Sequence, residues 1–280
     1  MQQRTFGPTR RAVPVIGQGT WNMEGDGRAK VLAALRAGIE RGMAHIDTAE
    51  LYGSGRVETL IAPVIAEHRD DLFLVSKVMP SNASRAGTIV ACERTLKRLG
   101  TDRLDCYLLH WPGSHPLEGT IAAFETLVRD GKILSWGLSN FDARALDEAL
   151  AIAGPGKIAC NQVLYHLGER AIEHTVLPWC AKNGVAVVAY SPFGSGNFPR
   201  AGSAGGKALT QIAAARKATP RQVALAFLAR EPIVFAIPKA SDPAHAADNA
   251  GAGELILTKD EIAAIDAAFP KGAKRGLPMI

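Results

Sequence analysis

The chain has 280 residues, 47% hydrophobic and 21% charged, a balance that suits a folded globular protein and excludes a disordered or fibrous one. Its net charge of +5 comes from scattered Lys and Arg, with no block of five basic residues and no aromatic interleaving, so nucleic acid is not expected as a partner. No run approaches the roughly 18 apolar residues of a membrane helix, and the opening Met-Gln-Gln-Arg-Thr-Phe lacks the apolar core of a secretion signal.

Cys92, Cys106, Cys160 and Cys180 lie far apart with no C-x-x-C pair, and three of them sit in apolar runs. Neither a disulfide framework nor a metal site is expected. The expectation is a reduced, soluble, cytoplasmic protein with no membrane partner, a monomer or weak dimer.

In chain order, residues 2–16 hold Gly7-Pro8 between two short apolar segments, the pattern of a small hairpin ahead of the main fold. Strand-like apolar runs follow at 13–17, 43–47, 72–78, 104–110, 133–138, 158–163, 185–190 and 233–238. Several, such as Leu72-Phe-Leu-Val75, are apolar throughout and suit strands buried on both faces of a parallel sheet. Helical patterns alternate with them at 28–41, 56–67, 84–99, 117–130, 142–152, 170–183 and 241–250, with a pair at 207–217 and 220–230. Asp142 can cap one helix, Thr219-Pro220 opens another, and Thr258-Lys-Asp-Glu261 is a capping box for a last helix to about Phe269. No linker, repeat or low-complexity tract divides the alternation, so residues 1–280 read as a single domain.

Eight strands alternating with helices fit an open doubly wound sheet or a closed barrel. A dinucleotide-binding open sheet carries G-x-G-x-x-G after its first strand. Gly17-Gln-Gly19-Thr-Trp-Asn22 fails at the third glycine, as does Gly53-Ser-Gly55-Arg-Val-Glu58. Eight units in about 250 residues match a barrel. The expected fold class is α/β, a (β/α)8 TIM barrel with an N-terminal β-hairpin and extra helices.

Barrel strands present their carboxyl ends on one face. The polar residues that end the runs are Asp47, Lys77, His110, Ser139, Asn140, Gln162 and Lys239, with Tyr190 among them and Tyr52 just past the second run. Singly, each has a bland reading; Asp47 could cap a turn and Tyr52 pack beneath it. Together, an acid, a lysine, a phenol and a histidine facing one small volume permit proton delivery to a carbonyl oxygen. A free tyrosine, with a pKa near about 10, is a weak acid at neutral pH. Lys77 would lower that value by stabilising the phenolate, and Asp47 would hold Lys77 charged and oriented. His110 would donate a hydrogen bond to the substrate oxygen. None of these groups carries a hydride, so a cofactor must supply it.

Seven motifs in order carry a resemblance over nearly the whole chain: Gly-Gln-Gly-Thr-Trp (17–21), Ile-Asp-Thr-Ala-Glu-Leu-Tyr-Gly (46–53), Val-Ser-Lys-Val (75–78), Leu-Asp-Cys-Tyr-Leu-Leu-His-Trp-Pro (104–112), Gly-Leu-Ser-Asn-Phe (137–141), Asn-Gln-Val (161–163) and Ile-Pro-Lys-Ala-Ser (237–241). The sequence resembles an aldo-keto reductase. That resemblance implies NADPH extended across the carboxyl face of the barrel and a tetrad of Asp47, Tyr52, Lys77 and His110, with Tyr52 as general acid. It implies further cofactor contacts at Gly19, Thr20 and Asp47. Ser139, Asn140 and Gln162 would hold the nicotinamide amide, and Tyr190 would stack on its ring.

The same resemblance lays Ser191, Pro192, Phe193, Gly194 and Ser195 along the pyrophosphate. Residues 194–206, rich in Gly, Ser and Ala, would form a mobile strap over the cofactor, with an ordinary flexible loop as the other reading. Ile237, Pro238, Lys239, Ala240, Ser241, His245, Asp248 and Asn249 would surround the adenosine end, Lys239 and Ser241 meeting the 2′-phosphate. Here the chain departs from the family pattern. His245 stands where an arginine is expected and Asp248 where a glutamate is. Histidine makes no bidentate fork to phosphate, so NADPH is expected with NADH left open.

Trp21, Tyr52, His110 and Trp111 would bound a pocket for a small carbonyl substrate, and the short tail from Pro270 to Ile280 suggests that this pocket is open. The remaining histidines read as structural: His45 in a buried strand, His68 and His174 on helix surfaces, His115 in a loop, His166 packing. A cofactor-sensing regulatory or binding subunit on the same barrel is the alternative to a reductase.

Overall fold

The computed structural model describes all 280 residues. Gln3–Thr5 (β1) and Ala12–Pro14 (β2) pair antiparallel as a hairpin. The barrel strands follow as β3 Gln18–Gly19, β4 His45–Asp47, β5 Phe73–Val78, β6 Cys106–Leu109, β7 Trp136–Ser139, β8 Ile158–Leu164, β9 Ala186–Tyr190 and β10 Val234–Ala236. Each runs parallel to its neighbours, in sequence order around the sheet. Ile16 bridges to Ala236 and Gly19 to Lys239, which joins the last strand to the first. The expected barrel and its hairpin are what the chain forms.

Helices α1 Arg28–Ile39, α2 Arg56–His68, α3 Arg85–Leu99, α4 Leu117–Arg129, α5 Ala143–Ala153 and α6 Val176–Asn183 follow successive strands. α7 Ala204–Arg216 and α8 Pro220–Leu228 both precede β10, and α9 Pro243–Gly251 and α10 Lys259–Ala268 complete the outer ring. The caps are those that the side chains dictate. Asp142 accepts from the Ala145 amide, while Thr219 with Gln222 and Thr258 with Glu261 form full capping boxes.

The apolar residues sort into two layers. A cluster of 56 buried residues lies largely between strands and helices, and a second cluster of 12 fills the barrel with Phe73, Val75, Cys106, Leu108, Val188 and Phe235 among its members. Phe6, from the hairpin, enters this inner cluster and packs against Phe73, Phe235 and the ring of His45. The hairpin thus stoppers the barrel at the end opposite the site.

Several boundaries differ from expectation. The run 13–17 is two elements, because Val13 pairs with Arg4 in the hairpin and only Ile16 onward joins the barrel. The run 133–138 begins as a single bridge from Ile133 to Leu104, and strand geometry starts at Trp136. The helix expected at 170–183 breaks at Thr175, whose φ of −141° is not helical. Gly205 and Gly206 are helix, not strap. A Cβ on Gly206 would lie 2.0 Å from the Arg200 carbonyl oxygen, so glycine there serves close packing.

Candidate active site

The carboxyl ends of β4 to β9 deliver the polar strand-end residues to one recess. Lys77 is wholly buried and spends its ammonium on Asp47 Oδ1 at 2.5 Å, the Thr48 carbonyl at 2.9 Å and the Tyr52 hydroxyl at 3.1 Å. Three acceptors match its three hydrogens, so its orientation is fixed. The other oxygen of Asp47 accepts from Gln162 Nε2 at 2.7 Å. Tyr52 precedes a tight left-handed turn, with φ of +55°, +55° and +86° at Gly53, Ser54 and Gly55, which reverses the chain into α2. A non-glycine residue in that region costs about 1 kcal/mol, and Ser54 bears it here.

Burial dominates the electrostatics. It raises the Asp47 carboxyl above its usual range despite Lys77 and Gln162. It works against the charge on Lys77, but Asp47 and Tyr52 outweigh it and the lysine pKa rises. The phenol of Tyr52 also goes up, through burial, against the pull of Lys77 and with the push of Asp47. This corrects the expected direction. Lys77 does favour the phenolate, but it is shared with a closer carboxylate, and burial wins. His110, whose ring meets Tyr52 edge-on at 5.9 Å, falls to about 2 through burial and then Lys77. Its Nδ1 has no partner. It is a neutral imidazole.

The expected substrate residues Trp21, Tyr52, His110 and Trp111 do line one recess, of about 490 Å³, together with Ser139, Asn140, Gln162 and Tyr190. Asn140 sits at φ +61°. Its Nδ2 donates to the His110 carbonyl at 3.0 Å and to Ser139 Oγ at 3.1 Å, while its Oδ1 accepts from the Tyr190 hydroxyl at 2.9 Å. Leu51, Met279 and Ile280 complete the wall and were not foreseen. The tail thus folds back to the site, where Met279 and Ile280 line the recess while staying 54% and 60% exposed. No motif marks them, because apolar tail residues have no signature until the chain returns to the site.

The residues expected along the cofactor divide into framework and lining. Thr20 is buried and donates to the Asp47 carbonyl at 2.9 Å, and Gly19 lets β3 approach the Ile237 carbonyl, which a Cβ would meet at 2.7 Å. Pro238 accepts from the Gly19 amide at 3.1 Å, so these residues hold the closing seam of the barrel. Ser191 and Ser195, each at φ +49°, bracket Pro192 and Gly194 in a tight turn after β9. A second recess is lined by Phe193, Gly196, Phe198, Arg221, Lys239, His245, Asp248 and Asn249. Asp248 also buttresses α8, accepting from Thr219 Oγ1 at 3.1 Å and from Gln222 Nε2 at 3.1 Å.

Arg221 was missed by sequence reasoning. Its guanidinium lies 4.9 Å from the Phe198 ring and 5.7 Å from Phe193, and it adds a fork-shaped cation to the recess where His245 lacks one. Asp26 was missed too. From the loop after β3 it accepts from Lys239 Nζ at 2.6 Å and from Ser241 Oγ at 2.5 Å, beside Ala240. Arg221 and Lys239 thus give this region two cations beside an aromatic pair, and the donors of Lys239 and Ser241 are directed at the carboxylate of Asp26.

Comparison with known proteins agrees with this geometry. The chain is 45% identical over 273 residues to the methylglyoxal reductase YeaE of Escherichia coli, covering 96% of each protein. It is 32% identical over 261 residues to a glyoxal reductase of Bacillus subtilis, covering 91% of this chain and 88% of that one. Its structure superposes on an aldo-keto reductase from Klebsiella pneumoniae, crystallised with NADPH, with a TM-score of 0.93 at 42% identity over all of both chains. A thermostable aldo-keto reductase, Tm1743, crystallised with the inhibitor epalrestat, matches with a TM-score of 0.89 at 39% identity, over 96% of this chain and all of the other. The model of the aldo/keto reductase family matches residues 15–269, and the chain belongs to that family.

Proposed function

We propose that this protein reduces small aldehydes and ketones to alcohols, with Tyr52 delivering the proton and NADPH the hydride. The observation that carries the reading is the fully buried Lys77, held at once by Asp47 and Tyr52 beside a neutral His110. When bound, the nicotinamide cofactor supplies the hydride that no side chain here can.

The raised pKa of Tyr52 keeps the phenol protonated through the neutral range, a loaded acid. As it gives up its proton, the ammonium of Lys77, 3.1 Å away, stabilises the phenolate that forms. Asp47 keeps Lys77 charged and aimed. His110 donates a hydrogen bond to the carbonyl oxygen and orients it, and at a pKa of about 2 it offers no proton of its own. Ser139, Asn140 and Gln162 have the donors and acceptors for a carboxamide, Tyr190 a flat face for the ring. Arg221, Lys239, Ser241 and His245 suit the phosphate of the adenosine end.

The relatives named for methylglyoxal and glyoxal support small dicarbonyls as substrates, as does an aromatic and aliphatic rim at Trp21, Trp111, Met279 and Ile280. We read the protein as a single-domain monomer or weak dimer of the cytoplasm; four free, buried cysteines support a reducing compartment. The test is NADPH oxidation with methylglyoxal. Tyr52→Phe should lose about 10²-fold or more in turnover with cofactor affinity nearly unchanged. Retained turnover removes Tyr52 as the acid. Cofactor binding with no turnover across a carbonyl panel favours a cofactor-sensing subunit instead.

A further inference from the structure

Lys239 and Ser241 are the donors that the reading above assigns to the cofactor's 2′-phosphate, and in this structure both are taken. Asp26 Oδ2 accepts from Lys239 Nζ at 2.6 Å and from Ser241 Oγ at 2.5 Å. Asp26 stands between Gly25 and Gly27, around which a side chain would meet nothing within 4 Å, so its carboxylate reaches across from the first strand's loop to the last. Beside it, Lys30 Nζ pairs with Asp242 Oδ2 at 3.1 Å and ties the same two segments. In chemical terms the carboxylate oxygen of Asp26 stands in for a phosphate oxygen.

We propose that Asp26 sets cofactor choice: it competes with the 2′-phosphate for Lys239 and Ser241 and so narrows the preference for NADPH over NADH. The inference rests on the assignment of Lys239 and Ser241 to that phosphate.

A serine hydroxyl has one hydrogen. Ser241 can serve Asp26 or a phosphate oxygen, not both. Lys239 has hydrogens to spare, but there the obstacle is charge. A phosphate monoester of about −1.5 to −2 would arrive beside a carboxylate, and like charges a few ångströms apart oppose one another whether or not the carboxylate swings away. NADH has a hydroxyl in place of the phosphate. It requires no displacement, and a carboxylate is the usual acceptor for a ribose 2′-hydroxyl. Asp26 thus penalises one cofactor and accommodates the other.

The clasp is not explained by folding. The side chains of Lys239 and Asp26 are 37% and 36% exposed, and an ion pair at that exposure adds little stability. Nor does the site compensate elsewhere with a second fork opposite it, because His245 replaces the expected arginine. Arg221 is the one guanidinium lining that recess, and it rests on Phe193 and Phe198.

The experiment is a fluorescence titration of the whole enzyme with NADPH and with NADH, for the parent, Asp26→Asn and Asp26→Ala. Both variants should bind NADPH about tenfold more tightly and NADH no more tightly. Weaker NADPH binding would overturn the proposal, since Asp26 would then be holding the cofactor down; unchanged affinity for both cofactors would overturn it as well. Lys239→Ala is titrated alongside. If it selectively weakens NADPH while Asp26→Asn has no effect, the phosphate assignment stands and only the competition fails. If it weakens both cofactors equally, the assignment falls and the proposal with it. In the Asp26→Asn, Lys239→Ala double variant most of the gain should vanish, and an undiminished gain would again refute competition at Lys239.

Discussion

Lys77→Met separates folding from chemistry. It keeps the apolar stem and removes a buried cation hydrogen-bonded at 2.5, 2.9 and 3.1 Å, leaving Asp47, 1% exposed, with only Gln162. Removing one partner of a buried pair costs about 3–5 kcal/mol, because the survivor cannot be resolvated. Urea unfolding at pH 7 should show that loss. Adding Asp47→Asn should restore most of it, since a neutral amide can keep the Gln162 contact without stranding a charge. The pH dependence has a definite sign. Burial already raises Asp47, and without Lys77 it rises further, so the folded variant holds a proton that the unfolded chain releases. The deficit should therefore shrink as pH falls through that raised value. Activity follows a different logic: neither variant stabilises a phenolate, so both should lose about 10²–10⁴-fold in single-turnover reduction. A Lys77→Met protein as stable as the parent at pH 7, or a double variant that regains turnover along with stability, would refute these roles for Lys77.

Acid should loosen the fold through its buried histidines. Burial lowers His45 to about 3 and His110 to about 2, both below the unfolded value near 6.5, so the unfolded chain binds more protons below that pH and stability falls there. Each contributes a loss of about 2 kcal/mol at pH 5. His45→Phe, beside Phe6 and Phe73 and with no hydrogen bond to forfeit, should flatten the decline in denaturant midpoint between pH 8 and pH 5; an unchanged slope would exonerate His45. At the pocket mouth, replacing Met279 and Ile280 by alanine should lower the KM of bulky aromatic aldehydes about threefold or more while leaving methylglyoxal turnover close to the parent, measured across an aldehyde series.

The barrel and the tetrad were legible because their signals are periodic or chemical. Apolar runs alternating with helical patterns need eight strands, and an acid, a lysine and a histidine that each close one of those strands must meet on the barrel's carboxyl face. The first strand was blurred because one apolar run, 13–17, serves both the hairpin and the seam, and burial is written the same way in each. Asp26, Arg221, Met279 and Ile280 were illegible for another reason. Each acts from a loop, a helix start or a tail, and becomes part of the site only when distant segments meet. The direction of the Tyr52 shift was misjudged because sequence shows which charges are near but not how dry the place is.

The hairpin that stoppers the barrel has a kinetic consequence. With Phe6 lodged among Phe73 and Phe235, water has no access to Lys77 from below. The recess lined by Tyr52 lies on the other side, so on the mechanism proposed above it is the route by which the phenol and the lysine behind it would exchange protons with solvent. If Tyr52 is the acid, a molecule seated in that recess would stand between the phenol and solvent, and recharging the phenol would wait on product departure.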